Sequence, residues 1–188
     1  MINHLLMAAA LFGLTCAGPV KAAGECPGTK AKDPASALEY LRGDRAKLEP
    51  SCVVASIRFI SAMKYLPSIS VLVQYLDYAD PIASAQRRGV IETYPALDGL
   101  VSLRRPVSQY LVAAIADPDT SELARQNAAI ALQFSYAASP AEGIAVLVRA
   151  AHEEQDPVAS NRLMDAARWS AQRCPESVRN DCEVATLK

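Results

Sequence analysis

Apolar residues recur at helical spacing in one stretch of the chain after another. Ile144, Leu147, Val148 and Ala151 make one such face, Ile69, Leu72, Val73 and Leu76 a second, and Val107, Leu111, Ala114 and Ile115 a third. Residues so spaced lie on one side of an α-helix. Prolines punctuate the stretches, at Pro34, Pro50, Pro67, Pro81, Pro95, Pro106, Pro118, Pro140 and Pro157. Proline lacks a backbone N–H and fits a helix only in its first turn, so a regular series of prolines reads as a series of helix starts. The pattern predicts an all-α chain with four helix pairs: 34–43 with 50–65, 67–79 with 82–94, 106–116 with 121–137, and 140–154 with 157–173. Tyr94 to Leu100 reads as an insertion between pairs. Ser139-Pro140-Ala141-Glu142 has the form of a capping box, and Asp80, Asp117 and Asp156, each before a proline, read as N-caps.

The Asp-Pro pairs at 80, 117 and 156 stand 37 and 39 residues apart. A period near 40 built from helix, turn and helix is the mark of a stacked helical array. After each turn comes a second helix carrying an arginine: Arg87, Arg125 and Arg162. The units VSQYLVAAIADPDTSELARQNAAIAL and GIAVLVRAAHEEQDPVASNRLMDAARWSA resemble HEAT repeats, and the resemblance covers roughly residues 50 to 173. It implies a right-handed α-α superhelix of about four HEAT-like helix pairs over 34–173. Residues 23–33 and 174–188 would then be flanking tails. The resemblance also implies that the second helices line a concave surface and that the recurring arginines bond to turn aspartates.

Leu5 to Thr15 is an apolar run shorter than the roughly 20 residues a membrane-spanning helix needs. Val20-Lys21-Ala22 follows as a small-x-small cleavage pattern, so residues 1–22 read as a secretory signal peptide. Lipidation of Cys16 is a lesser alternative. The expectation is an exported protein, periplasmic or secreted, with no stable membrane insertion after cleavage. Of the five cysteines, Cys26, Cys52, Cys174 and Cys182 remain in the mature part. An even number in an oxidising compartment suggests disulfides. Three pairings are open, and the local pairs Cys26–Cys52 and Cys174–Cys182 are favoured. No C-x-x-C pair is present, which argues against structural zinc. The whole chain carries 19 basic and 20 acidic residues. That balance gives no broad field for nucleic acid.

Catalytic chemistry is sparse. His152 is the one histidine after the signal segment. In His152-Glu153-Glu154-Gln155-Asp156 the second histidine of a zinc-protease helix is replaced by Asp156. Ser61-Ala62-Met63-Lys64 matches S-x-x-K without its partner motifs. No catalytic residue, cofactor or metal is expected. A binding surface is read instead from the faces of the second helices. Leu123, Ile130 and Phe134 are taken as the core side of helix 121–137, which turns Arg125, Leu132 and Tyr136 outward. The same reasoning turns out Arg58, Ala62 and Tyr65; Arg87, Ile91 and Tyr94; and Asp165, Arg168 and Gln172 with Trp169 beside them. The strip Arg58, Arg87, Arg125, Tyr136, Arg168 and Trp169 is therefore expected to contact a protein or peptide, arginine and aromatic residues being enriched at binding hot spots. The alternative is an exported enzyme or enzyme regulator with its site in the groove. A structural envelope component is a third reading.

Overall fold

The computed structural model describes residues 25–30 and 32–186. The signal segment 1–22 and Cys16 lie outside the described residues. Among those described, the secondary structure is helical and contains no strand. The helices are α1 (Pro27–Lys30), α2 (Pro34–Leu41), α3 (Pro50–Ala62), α4 (Ile69–Gln74), α5 (Pro81–Ala85), α6 (Val90–Thr93), α7 (Pro95–Leu103), α8 (Ser108–Ala116), α9 (Glu122–Ser135), α10 (Pro140–Glu153), α11 (Pro157–Gln172) and α12 (Arg179–Ala185). No helix among the described residues is long and apolar enough to cross a membrane.

The prolines act as expected except Pro118, which lies in the turn between α8 and α9 and opens no helix. Pro34, Pro50, Pro81, Pro95, Pro140 and Pro157 each open an α-helix. Pro67 and Pro106 sit in short 3-10 turns that lead directly into α4 and α8. Two of the three turn aspartates are N-caps. Asp80 accepts from the N–H groups of Ile82 and Ala83, and Asp156 from that of Val158. Asp117 instead closes the turn before α9, accepting from Asp119 N and Thr120 Oγ1. The cap of α9 is Ser121, four residues further on, whose Oγ accepts from Ala124 N at 3.2 Å. The capping box at α10 does not form. Ser139 makes no side-chain cap bond, and the Glu142 carboxylate pairs with the guanidinium of Arg105 instead.

Helices α3, α7, α9 and α11 run in series, each packed on the next. Against them lie α2 on α3, α4 on α7, α8 on α9 and α10 on α11, with α8 also touching α11. One apolar cluster runs through the whole set, from Ala37, Leu41 and Ile57 at one end to Leu163, Ala171 and Ala185 at the other.

The second pair differs from expectation. No helix spans 82–94. That stretch is broken into α5 and α6 by an exposed turn at Gln86–Gly89, with Arg87 at φ 51°. Of its apolar residues only Ala83 is buried. The partner of α4 is α7, which begins inside the stretch read as an insertion. Ala96, Leu97 and Leu100 are fully buried there. Burying each leucine contributes about 1.5–3 kcal/mol, so 95–103 outcompetes 82–94 for the core. Gly99 lets α7 approach α3 closely, since a Cβ on it would collide with Ser61 Oγ.

The described parts of both flanks carry packed helices. Helix α1 packs on α2 and α3, and α12 packs on α10. Disulfides hold both: Cys26–Cys52 joins the start of the described chain to α3, and Cys174–Cys182 ties the end of α11 to α12. All four sulfur-bearing residues are buried.

Candidate binding groove

Helix α9 decides where the groove lies. Its buried residues are Ala124, Asn127, Ala128, Ala129, Ala131, Leu132 and Ser135. Leu123 and Phe134 are exposed, at 40% and 43%, and Ile130 is half-buried. The buried stripe is thus rotated by about 100°, one residue's turn of the helix, from the one expected. The cause is space. Helix α9 packs against α4, α7, α8, α10 and α11, and small alanines allow those close approaches where isoleucine and phenylalanine do not. The large apolar residues are displaced to the surface.

The result is a groove between α9 and α11 in two adjoining parts. One part, of about 410 Å³, is lined by Ile115, Arg125, Ile130, Arg162, Asp165 and Trp169, with Glu122, Gln126, Ala129 and Ala166. The other, of about 500 Å³, is lined by Val90, Ile130, Phe134, Pro140, Trp169 and Arg173, with Gln133, Ala137 and Pro175. Ile130 and Trp169 belong to both, which makes the two parts continuous. Exposed aromatic and aliphatic side chains gathered in one concave strip leave apolar area in water that a partner would cover.

The charged residues of the groove are held in place. Arg125 is only 20% exposed and pairs with Glu122 at 3.0 Å. Its Nη1 donates to the backbone carbonyls of Thr120 and Asp117. Hydrogen bonds from Gln126 and Arg125 hold the Glu122 carboxyl below its ordinary pKa, the Arg125 charge adding to them. Arg162 reaches back from α11 to the carbonyl of Ala116 at the end of α8, at 2.9 Å. Arg173 stacks over the Trp169 ring, 4.0 Å from its centroid.

Arg125 and Arg162 therefore bond to backbone carbonyls and not to turn aspartates, which corrects the expected ladder at these two positions. The register of that ladder also changes. Counted from the true caps, Ser121 and Asp156, the counterpart of Arg162 is Asn127, since each lies six residues after its cap. Asn127 does the same work: buried at 1% exposure, its Nδ2 donates to the Leu76 carbonyl just beyond α4, at 2.7 Å. Both side chains join a second helix to the end of the preceding first helix.

Of the six residues expected to form a binding strip, Arg125 and Trp169 line the groove. Arg168 stands beside it, paired with Asp165 at 3.0 Å. Arg87 lies in the exposed turn three residues before Val90. Arg58 is elsewhere, bonded at 2.7 Å to the buried Asp80 that caps α5. Tyr136 is turned inward: 9% exposed, it meets Ser108 Oγ through its hydroxyl at 3.1 Å and lies under Arg105. Leu132 is buried too, at 1%. Sequence reasoning missed Val90, Ile130, Phe134, Arg162 and Arg173. The alanines of α9 were the signal that could have located Ile130 and Phe134.

A separate cavity of about 730 Å³ lies between α10 and α12. His152, Glu142, Glu153, Asp181 and Arg149 line it with Val148 and Val184. Among the described residues the one group with metal-ligand spacing is Cys26, Glu49 and Cys52, and its two cysteines are joined in a disulfide. Ser61, of the S-x-x-K match, donates its hydroxyl to the Ile57 carbonyl at 2.7 Å. Comparison of the chain with family models, curated proteins and solved structures finds no match.

Proposed function

We propose that this chain is an exported helical-repeat protein that binds a protein or peptide in the groove between α9 and α11. The observation that carries the reading is the cluster of partly exposed apolar side chains there, Val90, Ile130, Phe134 and Trp169, on a rigid helical frame. Large apolar and aromatic side chains left in water within a concavity are typical binding anchors. The serial packing of α3, α7, α9 and α11, each with one partner helix, supports the HEAT-like reading. On that reading the groove lies on the concave side, where second helices are displayed. The two disulfides support export, since such bonds persist in oxidising compartments.

Trp169 is the one tryptophan of the chain, so its fluorescence reports directly on the groove. Replacing Phe134 with a photo-crosslinking phenylalanine analogue in the native host is expected to trap a partner at that position. The same analogue at exposed Lys47 should not. Equal crosslinking from both positions, or none from Phe134, overturns the proposal.

A second reading, catalysis, is favoured by the cavity that brings His152 together with Glu142, Glu153 and Asp181. A histidine among carboxylates is a common acid–base arrangement. It requires a hydrolytic activity that His152→Ala abolishes without changing the unfolding midpoint.

A further inference from the structure

We infer that the partner segment is an acidic peptide with a large apolar anchor, and this rests on the groove being the binding site. The two acids of the groove, Glu122 and Asp165, are each already paired with an arginine, Arg125 and Arg168. Next to the lining residues Val90 and Pro175 stand two exposed acids, Glu92 and Glu176, and four further arginines outnumber them: Arg162 and Arg173 on the walls, and Arg87 and Arg88 in the turn before Val90. Among the described residues none of these four is in a salt bridge. Arg162 is held by a carbonyl, Arg88 by the Gln86 side chain at 2.8 Å, and Arg173 by the Trp169 ring and carbonyl. Such partners fix a guanidinium in space and leave its positive charge uncancelled.

The net charge of −1 conceals this excess, because acids collect elsewhere. Glu142, Glu153 and Asp181 line the cavity between α10 and α12. The groove is thus an apolar strip bordered by fixed positive charge. A segment that fills it needs a large apolar side chain for the space between Val90, Phe134 and Trp169. It also needs carboxylates on either side to meet the arginines, since complementary charge raises the encounter rate and fixes register. A polyanion without such an anchor leaves the apolar walls in water. A peptide suits both properties of the groove.

The test uses the oxidised chain and three hexapeptides, followed by Trp169 emission. Each has phenylalanine and leucine at its centre, flanked on both sides by two glutamates, two serines or two lysines. The glutamate peptide is expected to bind at least about tenfold more tightly than the serine peptide, with the lysine peptide weakest, and the preference should fall at high salt, where exposed charges are screened. Arg88→Gln with Arg173→Gln should bring the glutamate and serine peptides together, while Phe134→Ala weakens both. Equal binding of all three peptides by the parent chain overturns the acidic preference and leaves the groove reading standing. Emission unchanged by any peptide overturns the groove itself. So does emission that shifts with protein concentration alone, because the occupant is then a second copy of this chain.

Discussion

Asn127 is the side chain whose loss should reveal most about how the array is held. It sits at 1% exposure in α9, and its amide donates to the Leu76 carbonyl across 51 residues of sequence. Leu76 itself has no exposure, so water cannot replace the donor. In Asn127→Ala the hydrogen bond disappears and a buried carbonyl is left unpaired, which costs about 1–3 kcal/mol. The small void adds to this, giving about 2–4 kcal/mol in all. For a chain of this length that corresponds to a fall in melting temperature of about 5–15 °C. Asn127→Asp is nearly isosteric but sets a carboxylate against the carbonyl at neutral pH. A buried carboxyl has its pKa raised. The variant should therefore be at least as unstable as the alanine variant at pH 7, and regain stability relative to wild type as the pH falls and the protonated acid can donate. Urea unfolding at pH 7 and pH 5 measures both. Exposed Gln126→Ala is the control, with an expected change within about 0.5 kcal/mol. An Asn127→Ala variant indistinguishable from that control, or an aspartate variant insensitive to pH, refutes the bridging role.

The two disulfides should contribute unequally. Closing a span of 26 residues at Cys26–Cys52 restricts the unfolded chain more than a span of 8 at Cys174–Cys182. Double serine variants are expected to lose about 3.5 and about 2.5 kcal/mol in denaturant unfolding, and the reverse order would argue against the unfolded-chain origin. Stability should also fall in strong alkali. Burial pushes the Tyr75 hydroxyl above its ordinary value, although Arg45 opposes this, and that hydroxyl donates to the Leu41 carbonyl at 2.8 Å. A tyrosine pKa that is higher in the folded than in the unfolded state gives stability that is intact below about pH 10 and lost as pH rises through the folded value. Tyr75→Phe should flatten that alkaline decline in a pH series of unfolding midpoints, and an unchanged slope would refute the assignment.

Local chemistry was legible in the chain itself. Proline can begin a helix and cannot continue one, so Pro34, Pro50, Pro140 and Pro157 marked helix starts without reference to any neighbour. The core stripes of α8 and α10 could be read because Leu111 and Ile115 in α8, and Ile144, Leu147 and Val148 in α10, fall at helical spacing on the side that is buried. The cysteine pairs followed from proximity along the chain. Even Pro95 announced α7, but the assumed repeat register overrode it. Tertiary structure alone decided which side of α9 is buried. That helix is apolar on two faces, one of alanines and one of Leu123, Ile130 and Phe134. Periodicity registers both faces, and residue size favours the wrong one. The choice depends on how closely five neighbouring helices approach, a distance that no property of α9 alone contains. The same holds for Arg162 and Asn127, whose equivalence depends on where each helix is capped and which carbonyl the fold leaves within reach.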